Sequence, residues 1–157
     1  TKPQKISVLL LRLTIGFMFL YSGLTKILNP EWSSEGYIKG AKNFIGFFQF
    51  LLDPNVLPIV DFLNEWGLTL LGISLILGIM VRLSSILGVL LMLLYYIVIL
   101  DFPYPNTHAL IVDEHVVYAF VLILFASIKA GRIYGLEMWC SNLPICKKIP
   151  KLRKILG

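Results

Sequence analysis

Residues 57–100 decide the fold of this chain, and they read LPIVDFLNEWGLTLLGISLILGIMVRLSSILGVLLMLLYYIVIL. Two apolar runs, residues 57–81 and 83–100, are joined there by a very short connection around Arg82. As α-helices, runs of 18 to 25 residues extend about 27–38 Å, and the hydrocarbon core of a bilayer is about 30 Å thick. The stretch therefore predicts two transmembrane helices that form an antiparallel hairpin.

Two more apolar runs flank this hairpin, residues 6–28 before it and residues 111–130 after it. Of the 157 residues, 57% are hydrophobic and only 15% are charged, against about a quarter charged in soluble domains. Lys2 and Lys5 before the first run also suit a signal peptide, but the run is too long for one and three more follow it. We predict an all-α, four-helix transmembrane bundle over residues 1–137, with a basic amphipathic cytoplasmic tail at residues 138–157.

The distribution of basic residues predicts the orientation in the membrane. If both termini are cytoplasmic, eleven Lys and Arg residues fall inside and only Lys26, Lys39 and Lys42 fall outside. We therefore predict a multi-pass protein of the plasma membrane with cytoplasmic N- and C-termini. The net charge of +5 is explained by a basic surface facing anionic lipid, and it does not require a nucleic-acid partner.

The connection between the first two predicted helices contains a further helical pattern. Within residues 41–52, Phe44, Phe47, Phe48 and Leu51 recur at helical spacing, which predicts an amphipathic helix in the outer interface. This helix is interpreted either as an anchor in the interface or as a lid over a ligand cleft.

Placing an ionisable residue near the hydrocarbon core costs free energy, so each such residue is expected to have a structural or functional role. Arg12 lies about 9 Å from the inner boundary by helical rise, so it is expected either to snorkel to the interface or to anchor an acidic partner or ligand. At the outer end, several polar and aromatic residues are expected to meet. They are Tyr21 and Lys26 from the first helix, Asp61, Asn64, Glu65 and Trp66 from the second, and His108, Asp113, Glu114, His115 and Tyr118 from the last loop and the start of the fourth helix.

We predict that Lys26, Glu65, Asp113 and His115 form a buried polar network at the outer leaflet. One interpretation is a structural network that pins the helices together, and another is a site that binds an anion or a quinone head and moves protons through His115. Catalytic candidates are His115, Asp113 and Glu65, and the candidates for substrate or quinone binding are Lys26, Tyr21, Trp66, Tyr118 and Arg12. No metal-ligand spacing such as H-E-x-x-H occurs.

Other motifs of redox proteins are absent from the sequence. Neither C-x-x-C nor C-x-x-C-H occurs, so the sequence offers no attachment motif for haem or an iron–sulfur cluster. Cys140 and Cys146 lie on the predicted cytoplasmic tail, where thiols stay reduced, and they are interpreted as incidental thiols or lipidation sites.

The chain resembles the DoxX/DoxD family over residues 6–137. The resemblance rests on residues 10–26 (LLRLTIGFMFLYSGLTK), 78–83 (GIMVRL), 112–118 (VDEHVVY) and 130–137 (AGRIYGLE), and the last two are particularly like the DoxD branch. This resemblance implies a four-helix membrane protein. For the DoxD branch it implies the membrane subunit of thiosulfate:quinone oxidoreductase, with a quinone as electron acceptor and a smaller DoxA-like subunit as partner.

Two functions are therefore expected, and a third is weaker. The first is an oxidoreductase membrane subunit, in which Lys26 holds thiosulfate and His115, with Asp113 or Glu65, handles the protons of quinone reduction. The second is a non-catalytic accessory or assembly subunit of a larger respiratory-type membrane complex, or a homo-oligomer. A small transporter is the third, although the sequence has no visible inverted repeat.

Overall fold

The computed structural model describes residues 1–137, and this part of the chain is helical without a named β-strand. The predicted tail, with Cys140 and Cys146, lies outside the described residues. Within residues 1–137, six α-helices and one short 3-10 helix follow one another: α1 (Lys2–Ile27), α2 (Glu35–Lys39), α3 (Ile45–Leu51), α4 (Leu57–Leu77), α5 (Val81–Ile99), α6 (Glu114–Ser127) and the 3-10 helix Ala130–Arg132.

Three of these helices, α1, α4 and α5, are long and apolar enough to cross a membrane. The chain is therefore an all-α membrane protein. The fourth predicted span, residues 111–130, is helical only over the 14 residues of α6. Ile111 has a positive φ and Asp113 is extended before α6 begins, and Lys129 has a positive φ after it ends. These backbone conformations stop the helix at both ends, so that it is shorter than the apolar run.

The predicted hairpin is present in the structure as α4 and α5. Helix α4 ends at Gly78, whose φ of 67° is left-handed, and Met80 has a φ of 54° immediately before α5. Two positive φ values within three residues turn the chain back on itself. The hydroxyl oxygens of Ser74 and Ser84 lie 2.6 Å apart across the turn, which joins the two helices through a hydrogen bond.

Helix α1 packs along α4, and α5 packs along α6. The contact between α1 and α4 is unusually close, because a Cβ built on Gly72 would lie 2.4 Å from the backbone nitrogen of Leu20. Glycines at such positions let two helix backbones approach each other where lipid gives no hydrophobic drive for association. The core between the helices contains Leu68, Leu75 and Phe125, all fully buried or nearly so.

Within residues 41–52, where one amphipathic helix was predicted, the structure has the shorter helix α3, which begins only at Ile45 because Phe44 has a φ of 51°. The loop also contains a second short helix, α2, before this range, which was not predicted. The side chain of Asn43 donates to the carbonyl oxygen of Leu100, at the end of α5. Phe48 is buried against Ile38 and Val98. The helix is therefore folded against the ends of α4 and α5 through one face.

Arg12 is buried within the protein, so its side chain does not extend outward as snorkelling would require. It is 1% exposed, and its guanidinium donates to the carbonyl oxygens of Ala130, Ile133 and Tyr134 at 2.6, 3.0 and 3.3 Å. These carbonyls belong to the segment after α6. Arg12 therefore fastens this segment to α1, at the end of the helices that we call the Arg12 end.

Glu137 adds a second buried charge at the Arg12 end. Its backbone nitrogen donates to the carbonyl oxygen of Gly78 at 2.9 Å, and its carboxylate lies 3.5 Å from Nε of Arg132. Burial raises the pKa of Glu137, and the nearby charge of Arg132 opposes this shift. The sequence interpretation had assigned no role to Glu137.

Candidate functional site

A pocket of about 460 Å³ opens at the opposite end of the helices, which we call the Lys26 end. The four longest helices, α1, α4, α5 and α6, and the loop after α1 contribute residues to its walls. Its walls combine apolar and aromatic groups with polar ones: Met18, Phe19, Leu68, Met92, Tyr95, Tyr118 and Trp32 on the apolar side, and Ser22, Lys26, Ser33, Ser34, Tyr37, Asn64, Glu114 and His115 on the polar side. A mostly apolar cavity with a few polar groups is the usual form of a small-molecule site.

His115 is held in the pocket by Asp113. The Nδ1 atom of His115 lies 2.6 Å from Oδ2 of Asp113, and the other carboxylate oxygen of Asp113 accepts from the backbone nitrogen of Val116 at 3.2 Å. Asp113 is therefore also the N-cap of α6. An ionised carboxylate only accepts hydrogen bonds, so Nδ1 carries the proton and Nε2 is the ring nitrogen left for a ligand.

Tyr95 connects this pair to a buried amide. Its ring packs edge-on against the His115 ring at 5.6 Å, and its hydroxyl donates to Oδ1 of Asn64 at 2.7 Å. Tyr37 packs against Tyr95 in turn and donates to the Tyr95 carbonyl oxygen at 3.0 Å. Partial burial raises the pKa of Tyr37, with smaller contributions from Tyr95, Asp113 and Glu114. Tyr37 therefore stays a neutral hydrogen-bond donor.

Lys26 places a positive charge at the pocket. Its Nζ donates to the carbonyl and hydroxyl oxygens of Ser22 at 3.2 and 2.9 Å, and it lies 5.3 Å from the centre of the Trp32 ring. Glu65 interacts with it electrostatically, but no carboxylate of residues 1–137 lies within 4.0 Å of Nζ. The ammonium group is therefore not neutralised by a direct ion pair in the described chain.

The loop that covers the pocket is tied down by Asp61. The Asp61 carboxylate accepts from the hydroxyl of Ser33 at 2.8 Å and from the backbone nitrogen and hydroxyl of Ser34 at 2.8 and 2.5 Å. Asp61 belongs to α4, whereas both serines lie between α1 and α2. This carboxylate therefore holds the segment that contains Trp32 over the mouth of the pocket.

We predict that Asp61→Ala loosens this segment, because three hydrogen bonds to a charged acceptor are lost. The free energy of unfolding should fall by about 2 kcal/mol, and backbone amides near Ser34 should exchange faster with deuterium. Asp53→Ala is the matched control, since the carboxylate of Asp53 accepts hydrogen bonds only from Asn55, within its own turn. Equal exchange near Ser34 in the two variants would show that Asp61 does not hold the loop.

The structure brings together only part of the predicted site. Lys26, His115 and Tyr118 line the pocket, and Asp113 contacts it through His115. Glu65 lies near Lys26 without lining the pocket. Three of the predicted binding residues lie elsewhere: Arg12 at the Arg12 end, and Tyr21 and Trp66 exposed on the outer surfaces of α1 and α4, against Phe17 and Phe62.

Tyr37 and Tyr95 line the pocket beside His115, and neither was among the residues predicted to meet at the outer end. Asn64 was expected there, and it lines the same pocket. It had a signal in the sequence, because an amide within an apolar helix needs a partner. Tyr95 and Tyr37 had none, since an aromatic residue near a helix end is also typical of a membrane interface.

These features define a helical membrane protein with a pocket at one end of its helices. Residues 7–101 match the DoxX family, and the chain belongs to that family. The match covers α1 to α5, whereas Asp113 and His115 lie beyond it. Comparison with curated proteins and with solved structures gave no match.

Proposed function

We propose that this chain is the membrane subunit of a redox complex of the thiosulfate:quinone oxidoreductase type, and that the pocket at the Lys26 end binds a quinone. The observation that carries the proposal is the 2.6 Å contact between His115 and Asp113 in a largely apolar pocket beside Lys26. The DoxD-like motifs noted in the sequence support it. A smaller DoxA-like partner, or a larger respiratory-type complex, is part of the same proposal.

The proposed arrangement in the membrane has four spans, with α6 as a short fourth one. Both termini are cytoplasmic, and the pocket faces the outer side of the plasma membrane. Eleven basic residues against three support this orientation. Helix α3 is the outer interfacial helix, because Phe47 and Phe50 are exposed on the face away from Val98. Aromatic side chains are favoured at that depth of the bilayer.

His115 is the proton donor and acceptor in this proposal. Asp113 contacts Nδ1 and fixes the ring orientation, which leaves Nε2 as the ring nitrogen that exchanges a proton with a ligand oxygen. A histidine suits this role because its ordinary pKa is close to neutral. The aromatic wall of Tyr95 on one side keeps the ring in place while the proton moves.

Lys26 binds the thiosulfate anion in this proposal. Its ammonium group has no direct carboxylate partner in the described chain, and an anion near Nζ would gain attraction in a partly desolvated place. The apolar wall of Phe19, Leu68 and Met92 suits the ring of a quinone. The quinone supplies the electron-accepting chemistry, and thiosulfate supplies the electrons.

We expect His115→Ala to lower thiosulfate-dependent quinone reduction at least a hundredfold, because general acid–base catalysis contributes about 10²–10⁴ in rate. The measurement is quinone reduction by the purified complex at saturating thiosulfate. His108→Ala is the matched control, since His108 is exposed on the loop before α6 and does not line the pocket. Its activity should stay at the level of the unmodified protein.

Full activity of His115→Ala, in a protein that unfolds at the normal temperature, would contradict the role of His115. If the chain copurifies with a larger complex and the assembled complex shows no thiosulfate-dependent turnover, the accessory subunit is the correct function instead.

A further inference from the structure

We infer that Asn64 determines the specificity of the pocket for a neutral ring ligand that carries a carbonyl oxygen, to which its side-chain amide donates. The inference deepens the proposed function, on which it rests for the quinone class of ligand. It concerns a residue that the sequence analysis placed at the outer end of the helices without assigning it a binding or catalytic role.

The Asn64 amide is hydrogen-bonded to Tyr95 through its oxygen atom. The residue is 7% exposed, and its Oδ1 accepts the hydroxyl proton of Tyr95 at 2.7 Å. This oxygen is therefore used within the protein, and Nδ2 is the group left over.

The Nδ2 group is the unused donor of this wall. Within residues 1–137 it has no hydrogen-bond partner, and Asn64 lines the pocket. Because Nδ2 has no acceptor among residues 1–137 and belongs to a residue that lines the pocket, an acceptor atom of a ligand in the pocket can receive its hydrogen bond.

The surroundings of Asn64 select the chemistry of that acceptor. Leu68 lies one helical turn further along α4, and Met92 and Tyr95 face it from α5. A wall of this kind favours a flat apolar ring, and a neutral amide is matched to a neutral carbonyl oxygen. The positive charge at the site belongs to Lys26, on α1. We therefore assign recognition of the carbonyl oxygen of the ligand to Asn64 and binding of the thiosulfate anion to Lys26.

The test compares two ligands of the same shape. Menadione carries two ring carbonyls, and methylnaphthalene has the same fused ring without any oxygen. Binding of each to the purified full-length chain is followed by quenching of Trp32, which lines the pocket, in a background where Trp66 and Trp139 are replaced by Phe. Asn64→Asp keeps an acceptor for Tyr95 but replaces the amide donor by an oxygen.

We expect Asn64→Asp to weaken menadione binding about tenfold, the scale of one lost hydrogen bond together with the repulsion that replaces it. The affinity for methylnaphthalene should stay within about twofold. Tyr95→Phe, which releases the amide but keeps the donor, should weaken menadione binding by about threefold. A purely structural role would lower the affinity for both ligands equally.

Equal loss for both ligands, or unchanged menadione binding in both variants, overturns the inference. The proposed function is tested separately, because turnover, and its loss in His115→Ala, are measured on the assembled complex. If menadione binding depends on Asn64 but the complex has no thiosulfate-dependent turnover, the specificity role stands and the proposed reaction fails.

Discussion

Replacing Arg12 by leucine is expected to detach the segment after α6 and to lower the free energy of unfolding by roughly 3–5 kcal/mol. Three backbone carbonyl oxygens, those of Ala130, Ile133 and Tyr134, lose their donor. The carboxylate of Glu137, which Arg12 attracts, is left with less positive charge around it. The measurement is unfolding of the purified chain in mixed micelles by increasing dodecyl sulfate.

Two further variants test whether the guanidinium group of Arg12 itself holds the segment. Arg12→Lys keeps the charge, but an ammonium group lacks the planar fork that reaches several carbonyls at once, so it should recover less than half of the loss. Lys5→Leu removes an exposed cation of the same helix and should leave the unfolding free energy unchanged. If Arg12→Leu and Lys5→Leu unfold alike, the guanidinium does not hold the segment.

The second large effect is expected at Gly72, where α1 and α4 come closest. A Cβ at this position would lie 2.4 Å from the backbone nitrogen of Leu20, 2.6 Å from its Cα and 2.7 Å from the carbonyl oxygen of Gly16. All three atoms belong to the backbone and have no rotamer with which to move away. Gly72→Ala should therefore separate the two helices and destabilise the chain by about 1–3 kcal/mol, and Gly72→Leu should prevent folding.

Gly67 provides the control on the same helix. A Cβ built there meets no atom within 4 Å, so Gly67→Ala should be neutral or should stabilise the chain by up to about 1 kcal/mol, because alanine favours a helix over glycine. The two substitutions are chemically identical, and their positions lie about one and a half turns apart on the same helix. A similar change in unfolding free energy for both would contradict the packing of α1 on α4.

The predicted site shows where sequence reasoning succeeds and where it stops. Lys26, Asp113 and His115 were expected at one end of the helices, because their distances from the helix ends could be counted along the chain. By the same counting, Tyr21 and Trp66 were expected at this end of the helices as well, but their side chains are exposed on the outer surface. The depth of a residue along a helix follows from its position in the sequence, whereas its direction around the helix depends on which neighbour packs against that helix.

Consecutive residues were enough to predict the class of the protein, the DoxX family and the positions of the long apolar helices, whereas the turns that make α4 and α6 shorter than their apolar runs were not predicted. Only the tertiary structure decided that Arg12 fastens the segment after α6, 118 residues further along the chain, and that Asn64 turns its Nδ2 away from Tyr95. Each of these depends on a hydrogen bond between residues far apart in sequence. Such a bond forms only once the helices have packed, and no local pattern records it.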